Sequence, residues 1–389
     1  MKQQMQFLIG KSCRIILILA FLLGFVPTTM NASAEQTSET VFQAAAGKRV
    51  YLPLILNGGG PILGSSDLPL MVGVMPGWPG KSTIDSVMKP IDRWITGVSG
   101  GRSTSIFATF LTLNLQANTV AANVEIPLTL VWDAGYTPFI NLPAMTGDTA
   151  AYVATSSEYG TLITNWARSF KNYADGGKRF AYIAPLQEMN GEWVAYGGDP
   201  TNYKRAYKRF QEIFAREGVP AQSVKWVFAP NGWSRPGLPV FEDYYPGDEN
   251  VDVLGVSAYN FGYCAGGAWK EPPIIYNNPD IKDGHYLKRL YNMAPSKPIF
   301  VAQTASSSIR NPGQKNAAEK ERWLRDAYKY LSNQPNVKAV LYFNTPTKDC
   351  DWEIFKDGVG NPGYRDGVRN NGYKYISPSE LLKTDHSVQ

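Results

Sequence analysis

The residues of this chain best suited to chemistry follow short apolar runs. Glu188 sits in "PLQEMNGEW", directly after the apolar stretch 180–185. A carboxylate at such a place is costly to bury unless it is paired or has work to do. The work would be proton transfer, giving a proton to a leaving oxygen and later taking one from water. A structural ion pair is the plainer alternative. Asn190, Glu192 and Trp193 share the same motif. "APNGW" supplies Asn231 and Trp233, "SAYNFG" supplies Tyr259 and Asn260, and "YFNTPTKDCDW" supplies Asn344, Asp351 and Trp352. In "KPIFVAQTASSS" the apolar run ends at Gln303. Aromatic rings stack on the apolar faces of hydroxyl-rich ligands, while amides and carboxylates read hydroxyl groups. For each tryptophan, core packing competes with a place in the site. Asp351 could contact a ligand or be a solvated loop residue, and Glu192 reads as a rim residue.

Those residues need elements to hold them. Short apolar runs at 70–75, 106–111, 138–142, 180–185, 224–229, 251–257, 299–302 and 339–344 read as eight strands. Amphipathic segments lie between several of them. Leu162, Ile163, Trp166, Ala167, Phe170 and Tyr173 recur at helical spacing before Gly176, as do Tyr203, Tyr207, Phe210 and Phe214 before Gly218. Trp323, Ala327, Tyr328 and Leu331 form a third such stripe. Alternating strands and helices imply parallel pairing. Eight strands over roughly 310 residues suggest an α/β fold, a (β/α)₈ TIM barrel. A doubly wound open sheet is the competing topology, but no glycine-rich phosphate turn follows the first strand. In a barrel the working residues crowd the C-terminal ends of the strands, which is where the residues named above fall.

The start of the chain reads as a removable leader. Lys2, Lys11 and Arg14 precede the apolar run 15–26, and Ala32-Ser33-Ala34 offers a small-residue cleavage site. Residues 1–34 are therefore expected to be a signal peptide and the protein secreted. Residues 35–67 form an extension with a Gly-rich linker, 68–380 the barrel, and 381–389 a tail. The net charge is +5; without the three leader cations it falls to about +2. That argues against a nucleic-acid or membrane partner. With 22 Tyr and 10 Trp, the composition suits a neutral, hydroxyl-rich ligand. Only two histidines occur, His285 and His386, so a Ser-His-Asp triad or a multi-histidine metal centre is not expected. Past the leader two cysteines remain, Cys264 and Cys350. In an oxidising compartment they are expected to pair across loops after the sixth and eighth strands. "GDEN" at 247–250 lacks calcium-loop spacing and reads as a turn.

The sequence resembles glycoside hydrolase family 26, the β-mannanase-like (β/α)₈ enzymes, over about residues 68–380. Five segments carry the resemblance: "PLQEMNGEW", "YKRAYKRFQEIFAREGV" with "VKWVFAPN", "YYPGDENVDVLGVSAYN", "KPIFVAQTASS" and "VLYFN" with "DCDW". It implies Glu188 as the acid/base and Tyr259 as support for the seventh-strand residue. With it, Gln187, Asn190, Trp193, Asn231, Trp233, Tyr259 and Trp352 are expected as contacts for a β-linked polysaccharide or oligosaccharide, with β-mannan the first choice. No cofactor or metal is implied, and a monomer is expected. The chain departs from the family pattern twice. Gln187 stands where the family has histidine, and Gln303 stands where the family has its nucleophilic glutamate. The alternatives at this stage are a hydrolase, a barrel that binds glycan without cutting it, and an inverting route in which Asp351 or Glu192 activates water.

Overall fold

The computed structural model describes residues 68–384 apart from 266, 281–283 and 349, so the expected leader and the 35–67 extension lie outside the described residues. Eight parallel strands run in chain order: β1 (Met71–Met75), β2 (Ile106–Phe110), β3 (Thr137–Leu142), β4 (Ala181–Pro185), β5 (Val224–Phe228), β6 (Val253–Asn260), β7 (Ile299–Ser306) and β8 (Val337–Phe343). Each pairs with its sequence neighbour, and β1 pairs with β8, closing the barrel. An open sheet is thereby ruled out. Helices cover the outside and side chains fill the inside, so both strand faces are buried. This is why the strands read as continuous apolar runs rather than as alternating ones.

The helices form where apolar spacing and caps agree. The helix Ser157–Ala174 buries Leu162, Ile163, Trp166, Phe170 and Tyr173. Its first turn is capped by Ser156, whose side chain accepts from the Tyr159 amide. Helix Pro200–Arg216 begins with Asp199 as cap and proline in its first turn, and helix Ala317–Ser332 begins with Asn316 as cap. The last helix, Pro378–Thr384, runs through the boundary expected at 380, because Leu381 is buried against the barrel body.

Strands β6 and β7 extend beyond the apolar runs that announced them. Their ladder continues from Ser257↔Gln303 to Asn260↔Ser306. Gln303 is therefore not the end of its strand, because backbone pairing carries polar residues onward without apolar side chains. Just past Val301, β7 also carries one residue more than the segments of β6 and β8 that face it. Val256 pairs with Val301 and the next residue, Ser257, pairs with Gln303; on the other side Val340 pairs with Val301 and Tyr342 with Thr304. Such a bulge re-aims the side chain next to it. Two loops at the mouth are tied together by a disulfide between Cys264 and Cys350, with Cα atoms 5.5 Å apart.

Candidate active site at the barrel mouth

Glu188 owes its position to an unusual turn after β4. Leu186 and Glu188 both have left-handed backbone, with φ of 52° and 59°. Non-glycine residues adopt it at a cost and only when the surroundings hold them there. Here the two neighbouring strands do so: the Leu186 amide donates to the Leu142 carbonyl (3.0 Å) and the Glu188 amide to the Ala229 carbonyl (2.8 Å). The carboxylate is met by two donors. Trp193 Nε1 donates to Oε2 at 2.9 Å and Asn231 Nδ2 to Oε1 at 3.4 Å. Burial pushes the Glu188 pKa above the usual carboxylate range, against the opposing influence of Ser257, Trp193 and Asn231. The Ser257 hydroxyl lies beside the carboxylate but off hydrogen-bonding geometry. A carboxyl so placed keeps its proton to higher pH, as a general acid must.

Gln303 is 3% exposed. Tyr259 Oη donates to its Oε1 at 2.8 Å, and its Nε2 donates to Asn141 Oδ1 at 3.3 Å. Gln187, Glu188, Trp193, Asn231, Trp233, Tyr259 and Gln303 all line one cavity of about 510 Å³ at the C-terminal ends of the strands. Trp193 and Trp233 lie nearly parallel there, 14° apart with centroids 6.4 Å apart. Gln187, also buried, has an Oε1 without a hydrogen-bond partner.

Two residues expected to touch a ligand are placed elsewhere. Asn190 is fully buried and braces the loop after β5: its Nδ2 donates to the Asn231 carbonyl and to Ser234 Oγ, both at 2.8 Å, and its Oδ1 accepts from the Asn231 amide at 2.8 Å. Its hydrogen-bonding capacity is spent inside the protein. Trp352 is 1% exposed and packs behind the site, with its ring 5.7 Å from Tyr259 and 5.4 Å from Phe261. The rings in front of it take the place at the cavity wall. Asp351 is likewise a brace, accepting from the Ser308 amide (2.9 Å) and hydroxyl (2.6 Å). Glu192 does line the cavity, but Arg235 holds it in an ion pair at 2.8 Å. Asn260 is buried, and its Nδ2 donates to Ser306 Oγ at 2.9 Å.

Several lining residues were not anticipated. Ser257 sits inside a strand, Phe110 ends β2, and Met145, Ile275 and Tyr286 come from loops or outer helices. None follows an apolar run with a chemical group that would single it out. The register Ser257↔Gln303 is the one signal that could have found Ser257. Among the described residues no group of His, Cys, Asp and Glu is arranged to hold a metal, and no helix is long and apolar enough to cross a membrane.

Comparison with known proteins gives this mouth a lineage. Residues 156–279 match the sequence profile of glycosyl hydrolase family 26. Endoglucanase H of Acetivibrio thermocellus is 28% identical over 218 residues, covering 53% of this chain and 21% of that protein. A mannan endo-1,4-beta-mannosidase of Bacillus subtilis is 32% identical over 84 residues, 19% of this chain and 22% of that one. The matches thus span about a fifth of the length of these curated relatives. Among solved structures, a modular endo-beta-1,4-mannanase from Cellulomonas fimi superposes with a TM-score of 0.56 at 13% identity, covering 83% of this chain and 77% of that one. The catalytic domain of an endo-beta-1,4-mannanase from Bacillus sp. JAMB-750 gives a TM-score of 0.56 at 16% identity, covering 83% and 91%. At such identities the superpositions speak for the fold alone, a (β/α)₈ barrel like this one. Over residues 156–279 the chain is thus similar to glycosyl hydrolase family 26, and the barrel that carries this segment has the fold of these mannanase structures.

Proposed function

We propose that this protein is secreted and recognises a β-linked polysaccharide, β-mannan first among them, and that it hydrolyses the chain poorly by the retaining route. One observation carries the reading: Glu188, with its raised pKa, faces the same cavity as a buried amide, Gln303, held by Tyr259. Retaining hydrolysis needs one carboxyl as acid and a second as nucleophile. Glu188 fits the first role. Gln303 offers a neutral amide, a very poor nucleophile that brings no full negative charge to an oxocarbenium-like transition state. Each tenfold loss in rate corresponds to about 1.4 kcal/mol of lost stabilisation, so a few such steps leave little turnover. The cavity keeps what recognition requires: the Trp193 and Trp233 rings, the Asn231 amide and the Gln187 side chain. The printed names of the relatives, a mannan endo-1,4-beta-mannosidase and an endoglucanase, favour a β-1,4-linked glycan. The basic, apolar and small-residue leader pattern and the Cys264–Cys350 disulfide both favour export to an oxidising compartment.

The test is reducing-sugar release from β-mannan, mixed-linkage β-glucan and xylan, with binding to each measured in parallel. The unmodified protein should bind at least one of them and release little sugar. Gln303→Glu should bind equally and, at pH values where the introduced carboxyl is ionised, release more, with retention at the anomeric carbon. Ordinary turnover by the unmodified protein, with nothing gained by the variant, would overturn the reading. An inverted product would assign water activation to Glu192, the other carboxylate lining the cavity.

A further inference from the structure

The amide at position 303 is specified by its neighbour across the barrel. The Thr109 carbonyl is a backbone acceptor and nothing else, and Asn141 Nδ2 donates to it at 3.4 Å. That fixes the orientation of the Asn141 side chain, so its Oδ1 points at residue 303. Asn141 is fully buried and Thr109 is 2% exposed. Residue 303 therefore faces a buried acceptor on one side and the Tyr259 hydroxyl on the other. Glutamine satisfies both, donating from Nε2 and accepting at Oε1. A carboxylate would set two acceptors against each other at the 3.3 Å now bridged by a hydrogen bond. Turning Asn141 over would only move the conflict, placing its Oδ1 against the Thr109 carbonyl.

We propose that Asn141 is a positioning residue that demands a neutral hydrogen-bond donor at position 303. A glutamate placed there would keep its proton, as a protonated carboxyl donates to Asn141 and accepts from Tyr259 just as the amide does. The other groups near residue 303 do not relieve this demand. Tyr259 on β6 is a half-buried phenol and Tyr342 on β8 a buried one, both held neutral, and the Tyr342 hydroxyl is committed to the Trp352 carbonyl at 2.6 Å. Glu188, once ionised, would oppose a second negative charge in the cavity. Glu192 is tied to Arg235, and the exposed Lys270 is the one further cation among the residues lining that wall. The bearing of this on turnover rests on the glycan reading given above; the hydrogen-bond argument stands without it.

The experiment is thermal unfolding of the wild type, Gln303→Glu, Asn141→Ser and the double variant from about pH 4 to about pH 8, with a ¹³C NMR titration of the introduced carboxyl. A carboxyl whose folded pKa is raised contributes fully below its unfolded value and loses that contribution as pH rises through the folded one. Gln303→Glu should therefore melt close to wild type in acid and fall behind by several degrees toward neutral pH. Its carboxyl should titrate well above the ordinary range of about 4.3. Asn141→Ser, whose hydroxyl can turn to donate, should cost stability equally at every pH in the glutamine background. In the glutamate background it should cancel at least half of the pH-dependent loss. The proposal is overturned by a pH-independent gap, by a carboxyl titrating in the ordinary range, or by a gap that Asn141→Ser leaves unchanged. It is also overturned if Gln303→Glu fails to fold even in acid while Gln303→Met folds. Glycan binding by the wild type is scored separately: binding without the pH-dependent gap sinks this inference alone, and the gap without binding sinks the proposed function alone.

Discussion

Replacing Trp233 by alanine should weaken glycan binding without weakening the fold. Trp233 is 41% exposed at the cavity wall. Taking about 250 Å² for a large aromatic side chain, roughly 100 Å² is open to a ligand. At about 25 cal/mol per Å², covering all of it would contribute about 2.5 kcal/mol. A sugar lies on one face and carries hydroxyls, so about half of that area, or about 1.2 kcal/mol, is the lower figure. Binding should thus weaken between about 7-fold and about 70-fold. The loop should survive, because its anchors are not the ring: the Trp233 amide donates to Asn231 Oδ1 at 2.9 Å, and Asn190 holds the Asn231 carbonyl. Unfolding midpoints should move by no more than about 0.5 kcal/mol, as for an ordinary surface substitution. Affinity electrophoresis against soluble mannan, paired with denaturant unfolding, reads both quantities. Unchanged affinity with a large loss of stability would place the ring in the core and refute the argument.

Glu188→Gln should raise the melting temperature at neutral pH and make no difference in acid, since burial raises the folded pKa and the unfolded chain releases its proton first; pH-resolved calorimetry checks it. Asn190→Ala should destabilise by about 1–3 kcal/mol, because buried groups of Asn231 and Ser234 lose their partner, and denaturant midpoints measure it. Opening the disulfide with Cys264→Ser and Cys350→Ser releases a loop spanned by a sequence separation of 86 residues. Chain entropy assigns such a closure up to about 4.6 kcal/mol, so a loss of about 2–4 kcal/mol in equilibrium unfolding is expected.

Much of this architecture was legible in the sequence, because a barrel strand buried on both faces announces itself by composition alone. All eight strands lie where apolar runs placed them, and the helix stripes led by Trp166, Phe210 and Trp323 are buried as their spacing implied. Strand ends were less legible: past Gln303 the ladder is held by backbone bonds, which leave no apolar trace. At the mouth, position after a strand brought out Glu188, Trp193, Asn231, Trp233 and Tyr259. The same rule could not say which way a loop side chain turns. Asn190 and Trp352 have the right chemistry for a ligand and spend it inside the protein. The role of Asn141 depends on where the Thr109 carbonyl points, which is a property of the folded backbone.

The extra residue in β7 separates the address of position 303 from its occupant. The bulge, and not the chemistry of the side chain, aims whatever residue stands there into the cavity. In the genetic code glutamine and glutamate are a single base change apart. On the function proposed above, a lineage carrying this backbone would move between holding a glycan and cutting it by that change together with one at residue 141. A library that varies positions 303 and 141 together would explore that boundary.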